Sequence, residues 1–361
     1  MTDDSLVTIG MPLYNGAAYL RDAIGDVLSD GYANWELVLL DDGSQDDSLE
    51  IASSFSDRRI RVLHNDVNQG LVAARNRILD EAQGSFIAWL DQDDLSYPGR
   101  LGSQVAYLQA HPHVGICGSW SNLITHGTDG RLRALREKLP VSHADIRAQM
   151  LFSNPIKCNT VMMRASSLAE NHLRFRPEFG NALDYDLWAR ASELVGIHNL
   201  PQILAGYRIH ASQTSRGHEL AKINQSALEV QRQLVLRSLG IEMSPSELAI
   251  QTRLTLVPES ISTESALLET ADWLREIRGA NGTAQAFESA ALDRALARQW
   301  ITALVGASRS GMSRTASMSI GRKGARAMGL PNAAVGQQIA IGIARIAERK
   351  LPESLIRSIR R

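Results

Sequence analysis

Two acidic loops, Asp41-Asp42-Gly43-Ser44 and Asp91-Gln92-Asp93-Asp94, each follow directly on an apolar run. Carboxylates gathered at the ends of buried strands can hold a hard cation and an oxygen-rich ligand, and in open α/β sheets that edge is where ligands bind. One residue separates Asp91 from Asp93, so an extended backbone would turn both side chains to one side, where they could share an ion. Mg²⁺ or Mn²⁺ held by one or two carboxylates keeps its other positions for water and phosphate oxygens. A solvated acidic turn has the same composition. Asp41-Asp42-Gly43-Ser44 is equally an Asx-type turn or a place where a flat ligand approaches the glycine main chain while a carboxylate accepts from a base or a ribose hydroxyl.

Three further segments carry candidate chemistry. Asn68-Gln69-Gly70 opens a helix bearing Arg75, which could pair with phosphate or make a structural ion pair. In Asp184-Tyr185-Asp186-Leu187-Trp188 one acid either caps a short helix or takes a proton as general base. Tyr207-Arg208-Ile209-His210 puts an imidazole at the end of a late strand, as a metal ligand or a surface histidine.

These residues need a scaffold that alternates strand and helix. Val7–Met11 reads as a strand stopping at Pro12, followed by a helix with Leu20, Ile24, Val27 and Leu28 on one face. Strands are expected at 36–40, 60–63, 86–90 and 114–117, with a helix over 70–83 whose stripe is Leu71, Ala74, Ile78 and Ala82. Pro98 suits the first turn of the next helix. This order predicts an α/β fold, a mostly parallel sheet flanked by helices, extended by strands at 160–163 and 203–208 around a helix at 186–194. Past residue 215 the pattern turns helical: Ser244-Pro245-Ser246-Glu247 is a capping box, and helices are expected near 263–278 and 285–305. The Ser, Gly, Ala and Arg bias at 306–329 reads as a linker. The expected division is 1–215, 216–306 and 307–361.

Composition bounds the rest. With 361 residues and 44% apolar content the chain can bury one large core or two moderate ones. Cys117 and Cys158 lack metal-ligand spacing, are too few for a disulfide framework and read as small apolar groups in a reducing compartment. The acidic start argues against a secretory signal, and no apolar run approaches a bilayer span. Residues 309–361 hold eleven Lys or Arg against Glu348 and Glu353, a local charge of +9, although the whole chain carries −1. Ile339, Ile341, Ile343 and Ile346 among these basic residues suit either an interfacial helix or a solvated one. The basic residues lack a recognised module or interleaved aromatics, so nucleic acid is not expected, and dinucleotide and P-loop glycine fingerprints are missing.

Together these segments resemble the family-2 glycosyltransferases, inverting enzymes of the A-type nucleotide-sugar fold. The resemblance runs through Met11-Pro12-Leu13-Tyr14-Asn15-Gly16, Asp41-Asp42-Gly43-Ser44, Asn68-Gln69-Gly70, Ala74-Arg75-Asn76, Leu90-Asp91-Gln92-Asp93-Asp94 with Pro98 and Arg100-Leu101, Asp184-Tyr185-Asp186-Leu187-Trp188 and Tyr207-Arg208-Ile209-His210. It implies a metal-dependent transferase that moves sugar from a UDP-, GDP- or dTDP-sugar to a glycan or lipid-linked acceptor in bacterial surface polysaccharide synthesis. Donor contacts would come from Pro12, Tyr14, Asn15, Asp42, Asn68, Arg75, Asp91 and Gln92. Asp93 and His210 would hold Mn²⁺ or Mg²⁺, supported by Asp94, and Asp184 would be the catalytic base with Asp186 behind it. Leu183 departs from the pattern, where Glu usually precedes the base. The protein is then expected in the cytoplasm, at most peripheral on the inner membrane through its basic end. The C-terminal helices would shape the acceptor site, mediate self-association or act as a lid. A sugar nucleotidyltransferase and a catalytically silent nucleotide- or glycan-binding module are the competing readings. The first lacks its glycine-rich, lysine-bearing loop, and the acids at 42, 91, 93 and 184 oppose the second.

Overall fold

The computed structural model describes residues 5–126, 132–180, 182–210, 213 and 218–329. Nine strands occur among them: β1 Val7–Leu13, β2 Trp35–Asp41, β3 Ile60–His64, β4 Phe86–Trp89, β5 Leu95–Ser96, β6 Val114–His126, β7 Leu132–Glu137, β8 Met162–Arg164 and β9 Gly196–Arg208. The helices interleaved with them are α1 Ala17–Ser29, α2 Ser48–Ser53, α3 Leu71–Glu81, α4 Arg100–Ala110, α5 His143–Gln149, α6 Ala165–Glu170 and α7 Leu183–Ala191. Then follow α8 His218–Leu239, α9 Pro245–Thr255, α10 Glu264–Ala284, α11 Ser289–Arg309 and α12 Arg314–Ala327. The chain divides into two compact units, 1–146 with 155–215, and 147–154 with 216–361.

In the first unit the strands form one sheet in the order β3-β2-β1-β4-β8-β6-β9-β5, with β7 paired to β6. The β3-β2-β1-β4 half is parallel throughout. β1 and β2 are buried at every position, as strands covered by helices on both faces must be. Beyond β4 the sheet is mixed: β8 runs antiparallel to both β4 and β6, and β9 returns parallel to β6. This α/β sheet carries the ends of β1, β2 and β4 to one edge.

Several boundaries differ from the sequence reading for identifiable reasons. β1 does not stop at Pro12 but continues to Leu13. Leu90 N donates to Gly10 O on one side of β1, whereas Asp42 N donates to Leu13 O on the other. Residue alternation thus points the nitrogen of Pro12 toward the β4 side, where β4 pairing has ended at Gly10, so no ladder bond is lost. Leu28 and Leu71, expected on buried faces, are 37% and 41% exposed. Gly99, with φ +80, caps α4, leaving Pro98 just outside the helix.

The second unit keeps the predicted capping box: the Ser244 hydroxyl accepts from Glu247 N, and the Glu247 carboxylate accepts from Ser244 N. Gln231 and Gln251 donate to the carbonyls of Phe152 and Leu151, which ties 147–154 into this unit. The linker expected over 306–329 is instead largely helical, since α12 spans most of it. Its glycine is a packing device: Trp300 Nε1 donates to Gly321 O, and Gly324 lies under the Trp300 ring. The stretch bearing Ile339, Ile341, Ile343 and Ile346 lies outside the described residues. Among the described residues no helix is long and apolar enough to cross a membrane.

Candidate active site

A cleft of about 450 Å³ opens where β1, β2 and β4 end, lined by Pro12, Tyr14, Asp42, Asn68, Arg75, Asp91, Gln92, Asp93 and Asp94, with Leu71, Tyr207 and Gln213 among the remaining walls. Nine of the sequence-predicted residues therefore meet in one hollow. Asn15 is not among the lining residues: with φ +50 it accepts through Oδ1 from Gln45 N, while its own N–H donates to Ser44 Oγ.

Asp42 is 3% exposed, and its carboxylate accepts from Asn65 Nδ2, Gln69 N and Gly70 N at 2.6, 3.0 and 2.8 Å. Those bonds fasten the end of β2 to the turn opening α3 and leave about one of its four acceptor positions for a ligand. Gly43 adopts φ +74, and a Cβ there would lie 2.9 Å from Asn68 N. The glycine thus admits the neighbouring chain, not a flat ligand as its sequence allowed.

The acidic loop after β4 is a turn, in which Asp94 N donates to Asp91 O at 3.2 Å, and not the extended run expected. Its side chains fan out to different elements. Asp91 Oδ1 accepts from Arg75 Nη2 at 2.8 Å, and Asp93 Oδ2 lies 2.7 Å from His210 Nε2. Asp94 Oδ1 accepts from Arg208 N at 2.9 Å, while its Oδ2 is buried without a partner among the described residues. Burial raises the pKa of Asp91, an effect that Arg75 opposes and Asp93 and Asp184 reinforce. Burial, with the charges of Asp93 and Asp91, holds Asp94 well above the ordinary carboxylate value.

Arg75 takes the structural ion-pair alternative: its other nitrogen, Nη1, donates to Cys158 Sγ at 2.7 Å. Burial works against its charge, but Cys158, Asp91 and Asp184 raise its pKa overall. Cys158 is consequently more than an apolar filler, and burial pushes its thiol up despite the nearby guanidinium. Asp184 is half-buried at the second position of α7 and accepts from Tyr185 N at 2.8 Å, so it does not occupy the N-cap, which is Ala182. Its charge acts on Arg75, Asp91 and Cys158, which sets it beside the cleft. Asp186 faces elsewhere: Arg176 and Arg190 both bind its carboxylate, making it a buried anchor for α7.

Among the described residues no group of three or more His, Cys, Asp and Glu side chains has metal-holding geometry. Asp93 and His210 converge as a pair. Two ligands suit an ion that takes its other partners from phosphate oxygens and water, and do not suit a closed structural zinc site.

The family model described as Glycosyl transferase family 2 matches residues 8–173. A Haemophilus influenzae protein named as an uncharacterized glycosyltransferase is 31% identical over 253 residues, 67% of this chain and 78% of that one. The chain belongs to glycosyl transferase family 2. It is also similar to the Escherichia coli UDP-Glc:alpha-D-GlcNAc-diphosphoundecaprenol beta-1,3-glucosyltransferase WfgD, 34% identical over 187 residues, 52% of this chain and 69% of WfgD. S. aureus TarS 1–349, solved with UDP-GlcNAc, matches with TM-score 0.54 at 16% identity over 85% of this chain and 93% of that one. Mannosyltransferase PcManGT from Pyrobaculum calidifontis, solved with GDP-Man and Mn²⁺, gives 0.50 at 16% identity over 85% and 88%. These two likenesses are of fold, and they agree with the A-type glycosyltransferase architecture.

Two arginines of this glycosyltransferase, read from sequence only as parts of motifs and given no role of their own, shape the site. Arg208 donates from N to Asp94 and from Nε to Asp93 O, and lies over the Tyr19 ring, which also packs on His210. Arg100 is 1% exposed, and its Nη2 donates to Trp89 O and Val161 O just before the acidic turn. Burial brings its pKa down to about 10. Their motifs marked both positions, but nothing local showed what Arg208 would bind or that Arg100 would be buried.

Proposed function

We propose that this enzyme transfers a sugar from a nucleoside-diphosphate donor to a hydroxyl of a glycan or lipid-linked acceptor, with inversion, in bacterial surface polysaccharide synthesis. The observation that supports this most is the single cleft at the ends of β1, β2 and β4, where carboxylates and Arg75 face Pro12 and Tyr14. Relatives and neighbours named for such donors and for a diphosphoundecaprenol acceptor point the same way.

In this reading the nucleoside lies between Tyr14, Pro12 and Asp42, and the diphosphate reaches the acidic turn. Asp93 and His210 would hold Mn²⁺ or Mg²⁺, which offsets charge on the nucleoside diphosphate. Asp184 accepts the proton of the acceptor hydroxyl as its oxygen attacks the anomeric carbon, and the bond from that carbon to the diphosphate oxygen breaks, releasing the nucleoside diphosphate with the electron pair. Arg75 opposes the rise that burial imposes on the Asp91 pKa and holds the carboxylate in place, and Asp94 ties the turn to β9 through Arg208. Peripheral membrane attachment would come from the basic segment after residue 306.

A thermal-shift panel of UDP-, GDP- and dTDP-sugars, each with and without Mn²⁺, tests the reading. Metal-dependent stabilisation by one nucleotide class is expected, and no response to any of them would sink it.

A further inference from the structure

We infer that Gln92 is a positioning residue that holds the donor side of the cleft by clasping the main chain of Tyr14. Its carboxamide treats Tyr14 as a neighbouring strand would. Oε1 accepts from Tyr14 N at 2.8 Å, and Nε2 donates to Tyr14 O at 3.1 Å, across 78 residues of sequence. A primary amide offers a donor and an acceptor side by side, as a peptide group does, whereas Glu lacks the donor and Met lacks both.

The clasp completes a frame around the β1–α1 loop. On the Asp42 side, Asn15 N donates to Ser44 Oγ and Gly16 N to Ser48 Oγ, at 3.0 and 2.8 Å. On the acidic-turn side Gln92 makes the matching connection. Asp91 and Asp93 on either flank are engaged by Arg75 and His210, so consecutive side chains tie the turn to three different parts of the sheet edge. The residue between the two acids thereby sets the distance between the wall bearing Pro12 and Tyr14 and the wall bearing the carboxylates.

Gly16 carries an independent mark of the same arrangement. A Cβ there would fall 2.4 Å from Gln92 Cδ and Oε1. Its backbone, at φ −111 and ψ 13, is one that alanine adopts. Glycine therefore makes room for the Gln92 amide, and a methyl group would push that flexible amide off Tyr14.

The inference rests on the donor-site reading above, because only under it does the Tyr14 wall contact a nucleotide. The test uses the full chain and the variants Gln92→Ala, Gln92→Met, Gly16→Ala and Gly16→Ala with Gln92→Ala. Hydrogen exchange at the Tyr14 amide is followed without ligand, and binding of UDP, GDP and dTDP with Mn²⁺ by calorimetry. Each single variant is expected to speed exchange and to weaken the nucleotide that the wild type binds by about tenfold. Because both substitutions remove one clasp, the double variant should lose no more than either single. Unchanged Tyr14 exchange, unchanged affinity, or additive losses would overturn the inference. A wild type that binds none of the three nucleotides instead defeats the donor-site reading, and this inference with it.

Discussion

Arg75 and Asp91 form an ion pair at 2.8 Å in which the arginine side chain is 4% exposed and the aspartate 30%. The guanidinium lies near the rings of Trp89 and Phe175, with centroids at 5.3 and 5.6 Å, so water has little access to it. A cation in that position acts on the cleft chiefly through the carboxylate it holds. Removing it leaves Asp91 without its counter-ion, with burial, Asp93 and Asp184 raising its pKa unopposed.

Arg75→Met should therefore destabilise the enzyme by about 1–3 kcal/mol, less than loss from a fully buried pair because Asp91 stays 30% exposed. Arg75→Lys should not restore it, because one ammonium lacks the fork that reaches both Asp91 and Cys158. Urea denaturation measures both, and a loss below about 1 kcal/mol for Met would argue that the pair is solvated.

Asp184→Asn should retain donor binding and lose transfer by a factor of about 10²–10⁴, the usual contribution of a positioned base. Steady-state turnover alongside nucleotide titration separates the two effects. Turnover at the wild-type rate would remove Asp184 from the role of base.

Asp93→Ala should abolish the Mn²⁺-dependent part of nucleotide binding, and EDTA should do the same to the wild type. Calorimetry with and without metal reads this directly. Equal affinity in all four conditions would mean that the Asp93–His210 pair holds no ion.

His198 gives a pH dependence of defined sign. Burial lowers its pKa from 6.5, and the neighbouring His113 and His111 lower it further, while the Tyr107 hydroxyl lies 2.6 Å from its Nδ1. Above pH 6.5 both folded and unfolded forms are neutral and the group contributes nothing. As pH falls through 6.5 the unfolded chain takes the proton first, so stability declines until the folded pKa is also passed. The urea midpoint should fall less steeply between about pH 7.5 and 5.5 in His198→Gln than in the wild type. Identical slopes would exclude this histidine as a source.

Gly324→Ala tests the packing of α12. A Cβ there would meet Trp300 Cζ2 at 2.4 Å, so a loss of about 1–3 kcal/mol is expected from overpacking. Gly282→Ala in α10, with nothing among the described residues within 4 Å of the added carbon, should instead gain up to about 1 kcal/mol from helix propensity. If both glycines respond alike in thermal unfolding, Gly324 does not bear on Trp300.

The elements legible from sequence were those set by short-range patterning. The apolar runs of β1, β2 and β4 are buried on both faces and signal themselves by composition alone, and Ser244-Pro245-Ser246-Glu247 holds every atom its cap needs within four residues. Among the motif residues of the cleft, Tyr14, Asp42 and Asp91 to Asp94 were legible because they sit just past such strands, whereas Pro12 lies within β1 and Asn68 and Arg75 belong to the segment around the start of α3. α12 was missed because its small residues look like a linker until Trp300, itself on another helix, is placed over Gly324.

What sequence determined by itself was which side chains stand at the ends of which strands. Tertiary structure alone decided what they touch: Gln92 on Tyr14, Asp93 on His210, Asp94 on Arg208, Arg75 between Asp91 and Cys158. These partners lie between 16 and 117 residues apart along the chain. Propensity and periodicity act over a few residues, whereas strand order brings distant ends together, and only then do charge and hydrogen-bonding capacity select partners.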